Sequence, residues 1–293
     1  MSSLSFSETS QNPFIGDFFY AAGSNDMLGF NKAHHLAKSV PLFAFMLFYG
    51  TTLAVTVVIF YGAVAERTRV VPFLFFSVLW ATLVFDPVSY WTVNSNGWLV
   101  KWGSLDFAGG LNVHVNAGAA ALGLSLALGK RIRPNPRPHN LPLMTIGVMM
   151  CWFGWLFFNG GSMLALNTRS LVSVFNTNLS GAVGAVVWMM TDYYTNRKFT
   201  TIGICNGIFA GLVCVTPASG YIHPHFALVF GAVGALVARA ALHVKLRLGF
   251  DDTLDVLPIH GFGGAVCLVS FCESLIDIEW SDSCGCFRAF GYL

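Results

Sequence analysis

Two histidines are the residues in this sequence best placed to do chemistry. His114 and His260 lie inside apolar runs, and each stands eight residues after an aspartate, in Asp106-Phe-Ala-Gly-Gly-Leu-Asn-Val-His114 and Asp252-Thr-Leu-Asp-Val-Leu-Pro-Ile-His260. An imidazole gains or loses its proton near neutral pH and offers two distinct nitrogens. An ionisable residue within an apolar span is rare and marks a path for ions or protons. Both histidines are followed by small residues, Asn116-Ala117-Gly118-Ala119 and Gly261-Phe262-Gly263-Gly264, which let helices approach closely. Two other readings stand beside this one. A buried histidine can be purely structural, and a pair can ligate haem from facing helices. The matched aspartates weigh against the first, and the close packing implied by small residues weighs against the second.

The elements that position these residues follow from composition. Of 293 residues, 55% are hydrophobic and 10% are charged, where a soluble domain carries about a quarter charged residues. This excludes a disordered chain and an ordinary cytosolic enzyme. A net charge of +2 gives no footprint for nucleic acid. Eight stretches are long and apolar enough for spanning helices: Val40–Ala65, Val70–Phe85, Leu111–Gly129, Leu141–Leu164, Leu171–Met190, Phe199–Ser219, Phe226–Val244 and Leu257–Ile278. The second is short and is expected to extend at its ends. The seven cysteines sit mostly alone in apolar runs, and Cys284-Gly-Cys286 is weak as a metal motif. No cofactor or metal is expected.

The loops set orientation. Arg67 and Arg69, then Lys130, Arg131, Arg133 and Arg137, then Arg197 and Lys198, then Lys245 and Arg247 fall after alternate spans. Those loops are expected on the cytoplasmic side, with both termini outside. The polar N-terminus, residues 1–39, has no leader pattern. Spans upstream of it are therefore expected to be missing from this chain. Eight helical residues rise ~12 Å, so each histidine sits near the midplane of a core ~30 Å thick. Asp106 approaches from outside and Asp252 from inside. Spans one to three and six to eight are thus expected to be inverted repeats, with the site at their interface.

At this point the residues resemble the ammonium transporter family (Amt, Mep and Rh proteins), and the fungal Mep type in particular. The matching motifs are Gly62-Ala-Val-Ala-Glu66-Arg67, Asp106-Phe-Ala-Gly-Gly110 with His114, Trp91-Thr-Val-Asn-Ser-Asn-Gly-Trp98, Trp155-Leu-Phe-Phe158-Asn159-Gly-Gly-Ser162, Val215-Thr-Pro-Ala-Ser-Gly-Tyr221, and Asp251-Asp-Thr-Leu-Asp255 with His260. The resemblance implies an all-α polytopic membrane protein, an inverted-repeat bundle with about eight of eleven spans present. It divides the chain into an N-terminal segment, residues 1–39, a transporter domain, residues 40–279, and a divergent tail, residues 280–293. It implies a homotrimer in the lipid bilayer, in the plasma membrane of the cell. Each protomer would recruit ammonium, or methylammonium as its analogue, and conduct ammonia past His114 and His260. The outer recruitment site would be Ser162, Asp106, Phe48 and Trp91, and the gate Phe158 and Thr52.

Two positions depart from the family pattern. Thr52 stands where the family has its other gate phenylalanine, and Val93 where it has the outer tryptophan, with Trp91 two residues away. Asp106 is read first as a cap on the third span, with direct contact to ammonium as the alternative. Missing spans would leave polar groups facing lipid, so the chain alone is expected to transport poorly. The alternative function is a non-conducting member, a sensor or a defective subunit.

Overall fold

A computed structural model of the protein describes residues 2–7, 9–17, 33–34, 36–132 and 138–270. Residues 280–293, assigned above to a divergent tail, and the end of the eighth span lie outside them. Among the described residues the chain is helical apart from one isolated bridge, Ala33 to Pro41. After the short α1 (Ser2–Phe6) come α2 (Leu42–Tyr61), α3 (Val70–Trp80), α4 (Asp86–Val93) and α5 (Trp98–Lys101). They are followed by α6 (Asn116–Leu128), α7 (Leu141–Gly161), α8 (Thr168–Asn196), α9 (Thr201–Val215), α10 (Pro224–Leu248) and α11 (Gly263–Ser270). Six helical segments are long and apolar enough to cross a membrane, and α9 is a shorter apolar helix.

The second span is longer than its hydropathy suggests. Asp86-Pro87 reads as a stop, yet the helix continues through a π-helical turn, Ala81–Phe85, into α4. Pro87 has no N–H for the carbonyl one turn back, and a π turn is a common way to absorb such a mismatch. Asp86 is buried and accepts a hydrogen bond from Ser5 Oγ (3.0 Å), which docks α1 onto α4.

Contacts between loops respect the alternation read from Lys and Arg. On one face the loop after α2 meets those before α7 and before Asp252. Arg67 Nη1 donates to Gly129 O (2.5 Å), and Arg131 Nε donates to Asp251 Oδ2 (2.8 Å). Arg131 also pairs with Glu66, and Lys245 with Asp255. On the opposite face Phe107 N donates to Pro217 O (2.9 Å), and the Phe107 ring meets Tyr221 edge-on at 5.3 Å. The chain is thus a multi-pass membrane protein with two chemically distinct faces.

Candidate functional site: a paired imidazole between two capped helices

Each histidine sits in the first turns of a helix that begins inside the protein. Gly110–Val115 and Leu257–Phe262 are both π-helical turns, continued by α6 and α11. A wider turn leaves first-turn N–H groups that only an outside acceptor can satisfy. Asp106 supplies it at the first. Its carboxylate accepts from Gly109 N (2.9 Å), Gly110 N (2.5 Å) and Leu111 N (2.8 Å). Gly109 makes this possible by adopting φ +104°, which an L side chain rarely tolerates. Asp252 does the same at the second, accepting from Leu257 N at 2.8 Å. In both repeats the bond spans five residues. The capping reading of Asp106 therefore describes its contacts: three backbone N–H groups, not a free carboxylate. Burial pushes both carboxyl groups up from the ordinary range, against the lowering by these N–H donors and, at Asp252, by the Lys245 charge.

The two helices cross where their small residues meet. A Cβ added at Gly118 would collide with the Gly261 backbone, and one at Gly264 would lie 2.8 Å from Gly110 O and 3.0 Å from His114 Cβ. This approach brings His114 Nδ1 to 3.2 Å from His260 Nδ1, with ring centroids 5.3 Å apart. One nitrogen must donate and the other accept, so the two imidazoles hold opposite tautomers when neutral. The remaining nitrogens then differ too, one a donor and one an acceptor. His114 Nε2 is buried and has no hydrogen-bond partner. A metal shared by two imidazoles would hold their nitrogens about 4 Å apart, twice the ~2.0–2.1 Å metal–imidazole distance. At 3.2 Å the two Nδ1 atoms are too close to share one metal.

A ladder of side chains on α7 leads to this pair. The Trp155 indole stacks over His114 at 5.1 Å (20° between planes) and lies 6.4 Å from the His260 ring (17°). Its Nε1 donates to Thr216 Oγ1 (2.9 Å), and Phe209 closes another side, 6.4 Å from the His260 ring. One turn outward, Phe158 stacks with Phe48 of α2 at 6.0 Å (20°). A further turn outward, Ser162 Oγ donates to Phe158 O (2.8 Å), which leaves the oxygen lone pairs as acceptors. Thr52 is buried, with Oγ1 donating to Phe48 O at 3.0 Å.

The structure brings together His114 with His260, and Phe48 with Phe158 below Ser162. Trp91 points elsewhere. Its Nε1 donates to Phe14 O (2.7 Å), and its ring rests against Trp98. Val93, nearly half a helical rotation away, packs instead in the cluster of Phe6, Phe45, Tyr49 and Leu164. Trp155 lies in a matching motif, in which the sequence alone assigns it no role. The available signal was its place three residues before Phe158 on one helix face. Phe209 and Thr216 carried no comparable signal.

The Ammonium Transporter Family profile matches residues 3–274. Ammonium transporter 1 of Schizosaccharomyces pombe is 43% identical over 267 residues, covering 90% of this chain and 53% of the relative. Ammonium transporter MEP2 of Saccharomyces cerevisiae is 42% identical, covering 90% and 54%. The crystal structure of Candida albicans Mep2 superposes with a TM-score of 0.84 at 40% identity, covering 90% of this chain and 59% of that one. The chain spans about half the length of the curated relatives it matches.

Proposed function

This chain belongs to the ammonium transporter family, and from that premise we propose that its paired histidines carry ammonia across the membrane. The observation that carries the reading is the imidazole pair itself, joined at 3.2 Å, with His114 Nε2 buried and unpartnered. Ammonium is a compact, strongly hydrated cation, and an apolar passage cannot replace its hydration shell. Releasing a proton to water outside the aromatic layer leaves neutral ammonia, which one free imidazole nitrogen can donate to and the other accept from. Ser162, with its lone pairs free, is the acceptor for the cation before that step. Asp106 lends a negative field through its cap rather than by contact. Phe48 and Phe158 form the apolar layer between.

The same reading places the protein in the plasma membrane as a homotrimer, with the exposed apolar faces of the outer helices against lipid or partner protomers. Methylammonium uptake into transporter-deficient cells tests it. The chain is expressed alone and within the remaining length of the S. pombe relative, each with and without His114→Ala. Uptake by the longer form that falls by roughly tenfold or more in His114→Ala supports the role of the pair. Equal uptake with and without the imidazole rejects it.

A further inference from the structure

We propose that Asn176 of α8 is a positioning residue for the imidazole pair, acting through the turn at residues 216–222 that follows α9. The proposal rests on the transport reading and goes beyond it, since Asn176 touches neither imidazole. Three observations carry it. First, Asn176 is fully buried, and its Nδ2 donates to Ser219 O and to Ile222 O, both at 2.8 Å. Both carbonyls lie past the end of α9, where no helical N–H continues to meet them. Because both acceptors are carbonyls, the nitrogen of the amide must face them. Ser173, one turn earlier on α8, adds a bond from its Oγ to Ser219 Oγ (2.9 Å). Second, Asn176 Oδ1 is buried with no hydrogen-bond partner among the described residues. A buried carbonyl oxygen left unpaired is costly, so the two donors are what this amide contributes. Third, the turn it holds is packed on the start of the helix that carries His114. Pro217 O accepts from Phe107 N (2.9 Å), and a Cβ added at Gly110 would lie 2.5 Å from Pro217 Cγ. A Cβ at Gly220 would collide with the Phe107 ring.

Gly110 stands one helical turn before His114, and its N–H is among those capped by Asp106. The same turn begins at Thr216, whose Oγ1 accepts the Trp155 indole N–H. One buried amide therefore fixes both the start of the His114 helix and the ring that covers the pair. Without its donors the turn shifts, and Phe107–Gly110 shifts with it. A hydrogen bond of 3.2 Å between two imidazoles does not survive a displacement of about 1 Å.

The test reads amide hydrogen exchange and methylammonium uptake on the full chain and on the chain carried within the longer relative. Ser180 supplies the comparison. It is fully buried one turn further along α8, but its Oγ donates to Gly211 O (2.8 Å) inside α9 rather than to the turn. Asn176→Ala should speed exchange at residues 105–111 and 216–222 roughly tenfold, while Ser180→Ala leaves both segments near the parent rate. The maximal uptake rate should fall about fivefold in Asn176→Ala with KM little changed, and by less than about twofold in Ser180→Ala. Pro217→Ala, at the contact with Gly110, should reproduce the loss, and adding Asn176→Ala to it should cost nothing further. Asn176→Asp keeps the shape and, when protonated, one donor; it guards against misfolding and should fall between the parent and Asn176→Ala. The proposal is overturned if exchange at residues 105–111 is the same in Asn176→Ala as in Ser180→Ala, or if it quickens while the maximal rate holds. Absence of uptake from the unsubstituted longer form would reject the transport reading and the part of Asn176 in it, while the exchange result would still decide whether Asn176 holds the turn.

Discussion

The two half-sites that meet at the imidazole pair share a local construction and differ in what surrounds it. Around His114, a π turn is capped by Asp106 through three backbone N–H groups, and the loop beside it is held by Phe107 N to Pro217 O and by ring contacts. Around His260, the cap Asp252 lies beside Lys245, which donates to the Asp252 backbone carbonyl and pairs with Asp255, while neighbouring Asp251 pairs with Arg67 and Arg131. At the first cap, backbone N–H groups are what lower the carboxyl against the effect of burial. A cap beside Lys245 is partly neutralised. The same device, inverted, thus sits in a different charge environment at each mouth. The fold supplies symmetry at the midplane and the loops remove it at the mouths.

The comparison can be broken first at its caps. Asp106→Ala orphans three N–H groups, and Asp252→Ala orphans the Leu257 N–H while leaving Lys245 bonded to the Asp252 backbone carbonyl and to Asp255. Losses of about 3–5 kcal/mol and about 1–3 kcal/mol are expected, read as unfolding in detergent. Equal losses would mean that the two caps do the same work. Next come the crossing glycines. Gly118→Ala meets backbone, whereas Gly264→Ala meets a carbonyl and the His114 Cβ at 2.8–3.0 Å. We expect Gly118→Ala to cost about 1–3 kcal/mol and Gly264→Ala less, with uptake falling in step because the imidazoles separate. Stability lost without any change in uptake would disconnect the crossing from the pair.

A smaller effect is expected at the aromatic wall. Thr216→Val removes the acceptor that holds the Trp155 indole N–H, at about 1 kcal/mol. Its uptake should shift in pH dependence, since Trp155 covers both imidazoles. A lower but otherwise unaltered pH profile would make Thr216 structural only. The smallest effect lies at the inner mouth. Burial pushes the Asp251 carboxyl up, but the hydrogen bonds and charge of Arg131, with Arg67, outweigh it and hold the carboxyl below its usual range. Its contribution to stability is therefore present above the ordinary carboxylate range near 4 and lost as pH falls through the lower folded value. Unfolding midpoints of the parent and Asp251→Asn should converge as acid is added. A constant gap would contradict that assignment.

Much of this was legible in the sequence, for reasons that differ by residue. The spans are visible because a bilayer demands runs of apolar residues, and the inner face because Lys and Arg mark it. The inverted half-sites are visible because Asp106 and Asp252 stand at one fixed distance from their histidines. The π turns are not visible, since hydropathy carries no signal for a turn widened at Pro87 or Pro258. Nor is the polar row on α8, where Ser173, Asn176, Thr177 and Ser180 are fully buried. Ser173 and Asn176 bond Ser219, and Ser180 bonds Gly211 O. Such residues read as a solvated stripe until their partners on α9 and its following loop are known. The pairing of Phe48 with Phe158 was hidden because phenylalanine is so common here that no single one stands out.

The central claim is that His114 and His260 act as one unit. It is tested most directly by methylammonium uptake of His114→Ala, His260→Ala and the double variant in the longer form. The account predicts that each single loses most of the uptake and that the double is no worse than the more impaired single. Independent, multiplying losses, or full uptake in either single, would contradict it.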